Sequence, residues 1–184
     1  MKIHYINAFY LGYWLYKTQS VIKKNTKIAT LGKVEKTYNI EFEIYPLRFD
    51  KGWRSILHLT TSGNQNVYGS RIPGIWFYST KGGKTSTLYV CNAINGNKNY
   101  CFTTKNVPLK SWTQIRVGQK LEGSKFIYFI YINNKRVLRM VNTRPMVFEN
   151  VKMYVGDPWY LPQEAYIRNF KITGNFLFCL QMLL

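Results

Sequence analysis

The sequence predicts an all-β fold of antiparallel strands, closed as a sandwich or a barrel. Three observations carry this. Residues 108–173 read as an unbroken succession of strands: one opening at Trp112-Thr113-Gln114-Ile115, a hairpin around Ile132-Asn133-Asn134-Lys135, a strand over 151–155 that runs into Gly156-Asp157-Pro158, and a closing strand over 165–172. Elsewhere, short alternating or apolar segments recur between turn signals, and none has helical period. Aromatic residues form 17% of the chain, and such side chains favour pleated, half-buried surfaces.

The elements follow in order. Residues 1–25 lack β alternation and end in Lys23-Lys24-Asn25, so they read as an N-terminal appendage, part strand and part loop. The domain is expected over 26–173, with 174–184 as an apolar tail. A short strand is predicted over 27–31. Over 37–45 the alternation is clear: Tyr38, Ile40, Phe42 and Ile44 share one face, Asn39, Glu41 and Glu43 the other, until Pro46 stops the strand. A strand over 55–60 precedes a loop rich in Gly, Asn and Ser over 61–69. Arg71-Ile72-Pro73-Gly74 leads into a strand over 75–78, and Lys81-Gly82-Gly83-Lys84 is a turn. Strands over 85–92 and 99–103 flank Asn95-Gly96, the strongest short hairpin signal. After the loop at 108–111 come strands over 112–117, 126–132 and 136–141. Trp76 and Trp112 are assigned to the core.

Of three cysteines, Cys91 and Cys101 flank that hairpin. A three-residue loop over 95–97 sets them directly opposite, at a cross-strand Cβ spacing of about 4.5–5.5 Å, against the roughly 3.5–4.5 Å a disulfide needs. One residue more or less in the loop moves them to opposite faces. A disulfide and two unrelated thiols both stay open, and Cys179 is left over.

Lys plus Arg number 26 and Asp plus Glu 8, a net charge of +18. Such a surface attracts polyanions: sulfated or acidic glycans, anionic headgroups or nucleic acid. The alternative is a solvated basic surface with no dedicated partner. The basic residues are dispersed, with no run that reads as a nuclear-localisation or arginine-rich tail. Nucleic acid is disfavoured, because the aromatic signature of RNA-recognition domains and zinc-finger spacing are both missing. Near the start, Asn7 and Gly12 interrupt the apolar stretch and no small-residue cleavage pattern follows, so it is neither a clear secretory signal nor long enough for a membrane span. The apolar end, 176–184, reads as a strand, a truncated membrane segment or a chain end outside the domain.

Catalytic and metal constellations are scarce. His4 and His58 have no assignable nucleophile partner, and Cys and His do not cluster as zinc ligands. A structural calcium would draw on Asp50, Asp157 and loop oxygens, against the field of a +18 chain. Gly82-Gly83-Lys84-Thr85 is no phosphate loop, because Tyr78 stands where the first glycine belongs. Two loop clusters combine aromatic faces with amides and charge, the groups that stack on sugar rings and bind hydroxyls: Asn64, Gln65, Asn66, Tyr68 and Arg71, and Asp157, Trp159 and Tyr160.

Several blocks carry a family resemblance. They are Pro108-Leu109 with Trp112 and Ile115, then Tyr131-Ile132-Asn133-Asn134, then Val151-Lys152-Met153-Tyr154-Val155-Gly156-Asp157, and finally Tyr166-Ile167-Arg168-Asn169-Phe170. With Arg71-Ile72-Pro73-Gly74-Ile75-Trp76-Phe77 and the 92–100 segment, this order resembles the concanavalin A-like lectin/glucanase superfamily, and within it the laminin G-like modules of invertebrate extracellular proteins. The resemblance covers about residues 27–173. It implies a single-domain jelly-roll β-sandwich, an extracellular location, and ligands on a concave face or rim loops.

The departures are as informative. His58 is followed by Leu-Thr-Thr, not by the galectin pattern. The Glu-x-Asp-x-x-Glu cluster of related hydrolases is reduced to Glu41 and Glu43, without the middle Asp or third acid. The implied function is non-catalytic glycan binding, favouring sulfated or acidic glycans, with Asn64, Asn66, Tyr68, Arg71, Asp157, Trp159 and Tyr160 as candidate ligand-binding residues and no cofactor. The alternatives are a protein-protein adhesion module of a larger extracellular protein, and a degenerate glycoside hydrolase.

Overall fold

The computed structural model describes the backbone of residues 5–7 and 12–179 and the side chains of 12–174. Fourteen strands follow in order: β1 (Tyr5–Asn7), β2 (Tyr13–Tyr16), β3 (Ser20–Val21), β4 (Lys27–Pro46), β5 (Gly52–Thr60), β6 (Gly74–Ser79), β7 (Thr87–Ile94), β8 (Asn97–Thr104), β9 (Thr113–Glu122), β10 (Lys125–Ile132), β11 (Lys135–Asn142), β12 (Phe148–Val155), β13 (Leu161–Pro162) and β14 (Ala165–Cys179). All pairings are antiparallel except the short β13–β5 contact, and no helix occurs among the described residues.

The strand order is β11-β10-β9-β4-β12-β5-β6-β7-β8. The two strands expected over 27–31 and 37–45 are one strand of 20 residues, β4. Nothing between them breaks a strand: Gly32-Lys33-Val34-Glu35-Lys36 holds no Pro, Asn or Asp. The first half of β4 pairs with β12, from Lys27 to Val34. Its second half pairs with β9, from Tyr38 to Ile44. On its other side, β14 follows it from Pro46 back to Leu31. One sheet is therefore β8-β7-β6-β5-β12 with the first half of β4, the other β11-β10-β9 with the second half, and β4 and β14 belong to both.

Between the sheets lies one apolar core. Ile40, Phe42 and Ile44 of β4 are fully buried, as are Ile115 and Val117 of β9, Leu59 of β5, Ile75 of β6 and Ile172 of β14. Each such side chain contributes about 1.5–3 kcal/mol on burial. Phe42 meets Phe170 edge-on, centroids 6.0 Å apart, the geometry aromatic quadrupoles prefer.

The segment expected to stand outside the domain adds to it. β2 and β3 pair with β14 along its outer edge. Ile22 is buried in the core, and the Thr26 and Asn25 N–H groups donate to the carbonyls of Gly156 and Asp157. A boundary drawn after residue 25 thus cuts through paired backbone. Of the expected tail, β14 carries the backbone to Cys179; the Cys179 side chain lies outside the described residues.

Both main hairpins close through two residues of positive φ: Asn95 and Gly96 (53° and 77°), and Asn133 and Asn134 (47° and 62°). That backbone twist matches the twist of the flanking strands. The β7–β8 turn is one residue shorter than expected, which alone would set Cys91 against Tyr100. A bulge between Asn92 and Ile94 shifts the ladder by one, so Cys91 pairs with Cys101. The two are joined by an S–S bond of 2.04 Å.

Tyr128 is fully buried in this core, and its hydroxyl has no hydrogen-bond partner among the described residues. Burial raises its pKa well above the ordinary tyrosine value. Tyr128→Phe removes an unsatisfied polar atom without changing the ring, so stability should rise by about 1 kcal/mol. In thermal unfolding that is a Tm increase of about 2–4 °C; a lower Tm would refute it.

Candidate binding site on the outer face of the β5–β8 sheet

In β6 and the first part of β7 the side chains alternate between the core and the outer face. In β6, Ile75 and Phe77 enter the core and Trp76 and Tyr78 face outward; in β7, Leu88 and Val90 enter and Tyr89 and Cys91 face outward. Register then gathers the outward rings, because Trp53 of β5 opposes Tyr78 and Trp76 opposes Tyr89. Trp53 lies 4.8 Å from Tyr78, 4.7 Å from Tyr89 and 6.2 Å from Tyr160, centroid to centroid. The Trp76 indole lies across Gly74, where a Cβ would overlap the ring, its Cζ2 being 2.8 Å away. Only glycine fits there.

Beneath this cluster is Asp157, fully buried. Its Oδ2 accepts the Trp76 Nε1–H at 2.9 Å and faces His58 Nδ1 at 3.3 Å. Its Oδ1 accepts the backbone N–H groups of Trp159 (3.0 Å) and Tyr160 (2.9 Å), an Asx-type turn that fixes the loop after β12. His58 is also fully buried and donates from Nε2 to the Ser70 carbonyl at 2.6 Å. Burial acts to raise the Asp157 pKa, but the hydrogen bonds from His58, the Tyr160 N–H and Trp76 outweigh it and hold the carboxyl below its ordinary 3.8.

Arg71 and Tyr160 form the rim. Arg71 Nη2 donates to Asn64 Oδ1 at 3.1 Å, and Asn64 Nδ2 donates to the Tyr160 hydroxyl at 3.3 Å. The guanidinium sits 5.6 Å from the Trp76 ring centre, a cation–π distance. Burial lowers its pKa, with Tyr160 and Asp157 opposing, and Arg71 makes no ion pair among the described residues. Together Trp53, Arg71, Trp76, Tyr89, Asn99 and Tyr160, with the Cys91–Cys101 disulfide, line a pocket of about 280 Å³. Its rings offer flat apolar faces, its guanidinium a charged fork, and its amides paired donors and acceptors.

The structure therefore joins parts of both sequence clusters: Asn64 and Arg71 from one, Tyr160 from the other. The rest divide. Asp157 does not face a ligand, because both carboxylate oxygens are occupied by internal donors; it braces the floor. Trp159 covers Gly63, 3.0 Å from where a Cβ would stand, and packs on His58 and Tyr154 beside the pocket. Tyr68 stacks on Phe148 at 6.1 Å, away from it, and Asn66 is exposed in the 61–69 loop. Trp53, Trp76, Tyr89 and Asn99 were not anticipated as lining. The assignment of Trp76 to the core is corrected: it is buried, but under the pocket. Trp112 is half-buried on the other sheet, where the Arg168 guanidinium lies 3.9 Å over its ring.

The acids proposed for other chemistry are engaged elsewhere. Asp50 sits between Arg48 (3.0 Å) and Arg54 (3.5 Å), and Asp157 faces N–H donors, so neither presents free oxygens to calcium. Glu43 accepts from Arg168 Nε at 2.7 Å and Asn169 Nδ2 at 2.9 Å. Burial would raise its pKa, but these bonds and the Arg168 charge keep it below the ordinary value. Glu41 accepts from Gln114 Nε2 at 2.8 Å and pairs with Lys171 at 3.4 Å.

No family model matches the sequence, and no curated protein matches it. Solved structures match in shape. The receptor-binding domain of botulinum neurotoxin type G is 12% identical with a TM-score of 0.50, the match covering 94% of this chain and 43% of that one. Domain 4 of AbnA, an extracellular GH43 arabinanase from Geobacillus stearothermophilus, solved with arabinotriose, is 12% identical over 88% of this chain and 84% of that one, TM-score 0.47. The carbohydrate-binding module CBM66 from Bacillus subtilis is 10% identical over 86% and 97%, TM-score 0.41. At these identities the likeness is one of fold. The chain is an antiparallel β-sandwich of the jelly-roll class, as the resemblance of its sequence blocks implies.

The brace under the pocket predicts an acid-sensitive stability. The Asp157 carboxyl is held below 3.8 in the folded chain, so its stabilisation is present above that value and lost as pH falls through the folded pKa. Asp157→Asn should cost about 1–3 kcal/mol at neutral pH, because an amide nitrogen in place of one carboxylate oxygen leaves buried donors without an acceptor. It should also remove up to about one proton from the acid-unfolding slope. Denaturant melts across pH test this; an unchanged acid limb would exclude the role.

Proposed function

We propose that the protein is a non-catalytic carbohydrate-binding module that acts outside the cell and favours anionic glycans. The observation that carries this reading is the pocket in which Trp53, Trp76, Tyr89 and Tyr160 surround an Arg71 guanidinium without an acidic partner. Sugar rings present apolar faces that stack on aromatic rings, and hydroxyls that amides such as Asn64 and Asn99 bind. A guanidinium selects carboxylate or sulfate through its two-pronged geometry. The net charge of +18 supplies long-range attraction, screened by salt, while the pocket supplies orientation. The resemblance to laminin G-like modules supports the extracellular placement. Glycoside hydrolysis needs one protonated carboxyl beside an ionised one; the cation-held Glu43 and Glu41 speak against it.

The test is a glycan array with heparin-like, uronate-containing and neutral oligosaccharides, read at low and physiological salt. Selective binding should survive physiological salt. Trp53→Ala should weaken it roughly tenfold, about 1.4 kcal/mol, without changing the melting curve. Arg71→Gln should erase the preference for acidic over neutral glycans. Binding that follows charge alone and vanishes at physiological salt would overturn the reading and point to protein partners.

A further inference from the structure

The outer face of the other sheet carries a separate arrangement. Register aligns Trp14, Lys171, Glu41, Arg116, Tyr131 and Arg136 in one row across β2, β14, β4, β9, β10 and β11. Beside the row a groove of about 290 Å³ is lined by Asn39, Arg116, Lys120, Phe129, Tyr131 and Thr173. The Phe129 ring packs over Gly118: a Cβ there would lie 2.8 Å from Phe129 Cζ and overlap the Tyr38 carbonyl.

The polar groups in this groove are incompletely satisfied in a specific way. The Arg116 guanidinium lies 4.1 Å over the Tyr131 ring and 5.8 Å from Phe129. Its Nε is shielded from solvent and has no acceptor, and it makes no ion pair among the described residues. Glu41, its cross-strand neighbour, already serves Gln114 and Lys171. Lys120 is paired with Glu122 at 2.9 Å, so Arg116 is the groove's uncompensated cation. On the other wall, Asn39 donates from Nδ2 to Thr173 Oγ1 at 3.1 Å, which aims its buried Oδ1 at no donor. Leaving such groups unmatched costs free energy, more for a charge than for a neutral polar atom.

We propose that this groove is a second binding site, which takes a carboxylate-bearing sugar residue of an acidic polysaccharide. The carboxylate meets Arg116, a sugar hydroxyl donates to Asn39 Oδ1, and the ring face packs on Tyr131. An acceptor such as Asn39 Oδ1 disfavours a bare sulfate, which has no hydroxyl to donate. The ligand class rests on the carbohydrate-binding reading, but the residues are separate. The two sites lie on opposite outer faces of the sandwich, so one molecule can hold two chains.

The experiment titrates an oligogalacturonate into the wild type, Arg116→Gln, Arg116→Lys and Trp53→Ala by calorimetry at physiological salt, with melting curves as the control for folding. Wild type should show two binding events. Arg116→Gln should weaken one of them by roughly tenfold or more and leave the other. Arg116→Lys keeps the charge but not the fork and should fail to restore it. Trp53→Ala should spare the Arg116-dependent event, and the carboxyl-reduced oligosaccharide should lose it. Wild type but not Arg116→Gln should raise the turbidity of polygalacturonate by cross-linking. A titration unchanged in Arg116→Gln, full rescue by lysine, or equal binding of inorganic polyphosphate would overturn the second site. A wild type that shows only the Arg116-dependent event, with no binding sensitive to Trp53→Ala, would sink the first pocket and leave this one standing.

Discussion

The structure depends on β4 being one strand. Its 20 residues pass from one sheet to the other while pairing with β12, then β9, and with β14 throughout. A strand shared by two sheets must face one core along its whole length, so its burial pattern has to survive the crossing. It does so with irregularities confined to the crossing: Leu31 and Val34 are both buried although three residues apart, Lys36 is exposed, and Tyr38, Ile40, Phe42 and Ile44 then keep even spacing. β14 shifts register at matching points. The outward positions on either side of that crossing are what each sheet offers to solvent.

Charge scarcity shapes those outward faces. The chain has 8 acids against 26 basic residues; six of the acids pair with Lys or Arg, Asp157 faces His58, and Glu149 makes no ion pair among the described residues. Exposed pairs of this kind contribute little stability, about 0–1 kcal/mol each. Their larger effect is distribution. With Glu43 held by Arg168, Glu41 by Lys171 and Asp157 enclosed beneath Trp76, neither Arg71 nor Arg116 has an ion-pair partner among the described residues. Each of those guanidiniums rests instead on an aromatic ring, which stabilises the cation without neutralising it.

Much of the fold was legible because its signals are local. Alternation marked the second half of β4, and Asn95-Gly96 and Asn133-Asn134 marked the two hairpin tips. The continuity of β4 was not, since a strand that changes partners leaves no mark in its own residues. The Cys91–Cys101 pairing was left open, because it hung on a three-residue turn; the molecule reaches that register through a two-residue turn and a bulge at Ala93, where no Gly or Pro announces it. The pocket was half legible. Loop residues such as Arg71 and Tyr160 stood out by composition, while Trp53, Trp76 and Tyr89 are strand residues whose side depends on register. The alternation of Ile75 and Phe77 with Trp76 and Tyr78 contained that signal, but the weight given to aromatic burial assigned Trp76 to the core. Trp112 sits where a loop becomes a strand, and period two does not apply before the first pair.

The Trp76 ring is held on several sides: it lies across Gly74, Asp157 accepts from its nitrogen, and the His58 and Tyr160 rings meet it edge-on. A surface fixed in this way is preorganised: a ligand that settles on it freezes little further motion, and association loses less conformational entropy than it would on a mobile loop. Recognition at that floor is therefore a matter of shape already present, and the adaptable part of the pocket is confined to the Arg71–Asn64–Tyr160 rim.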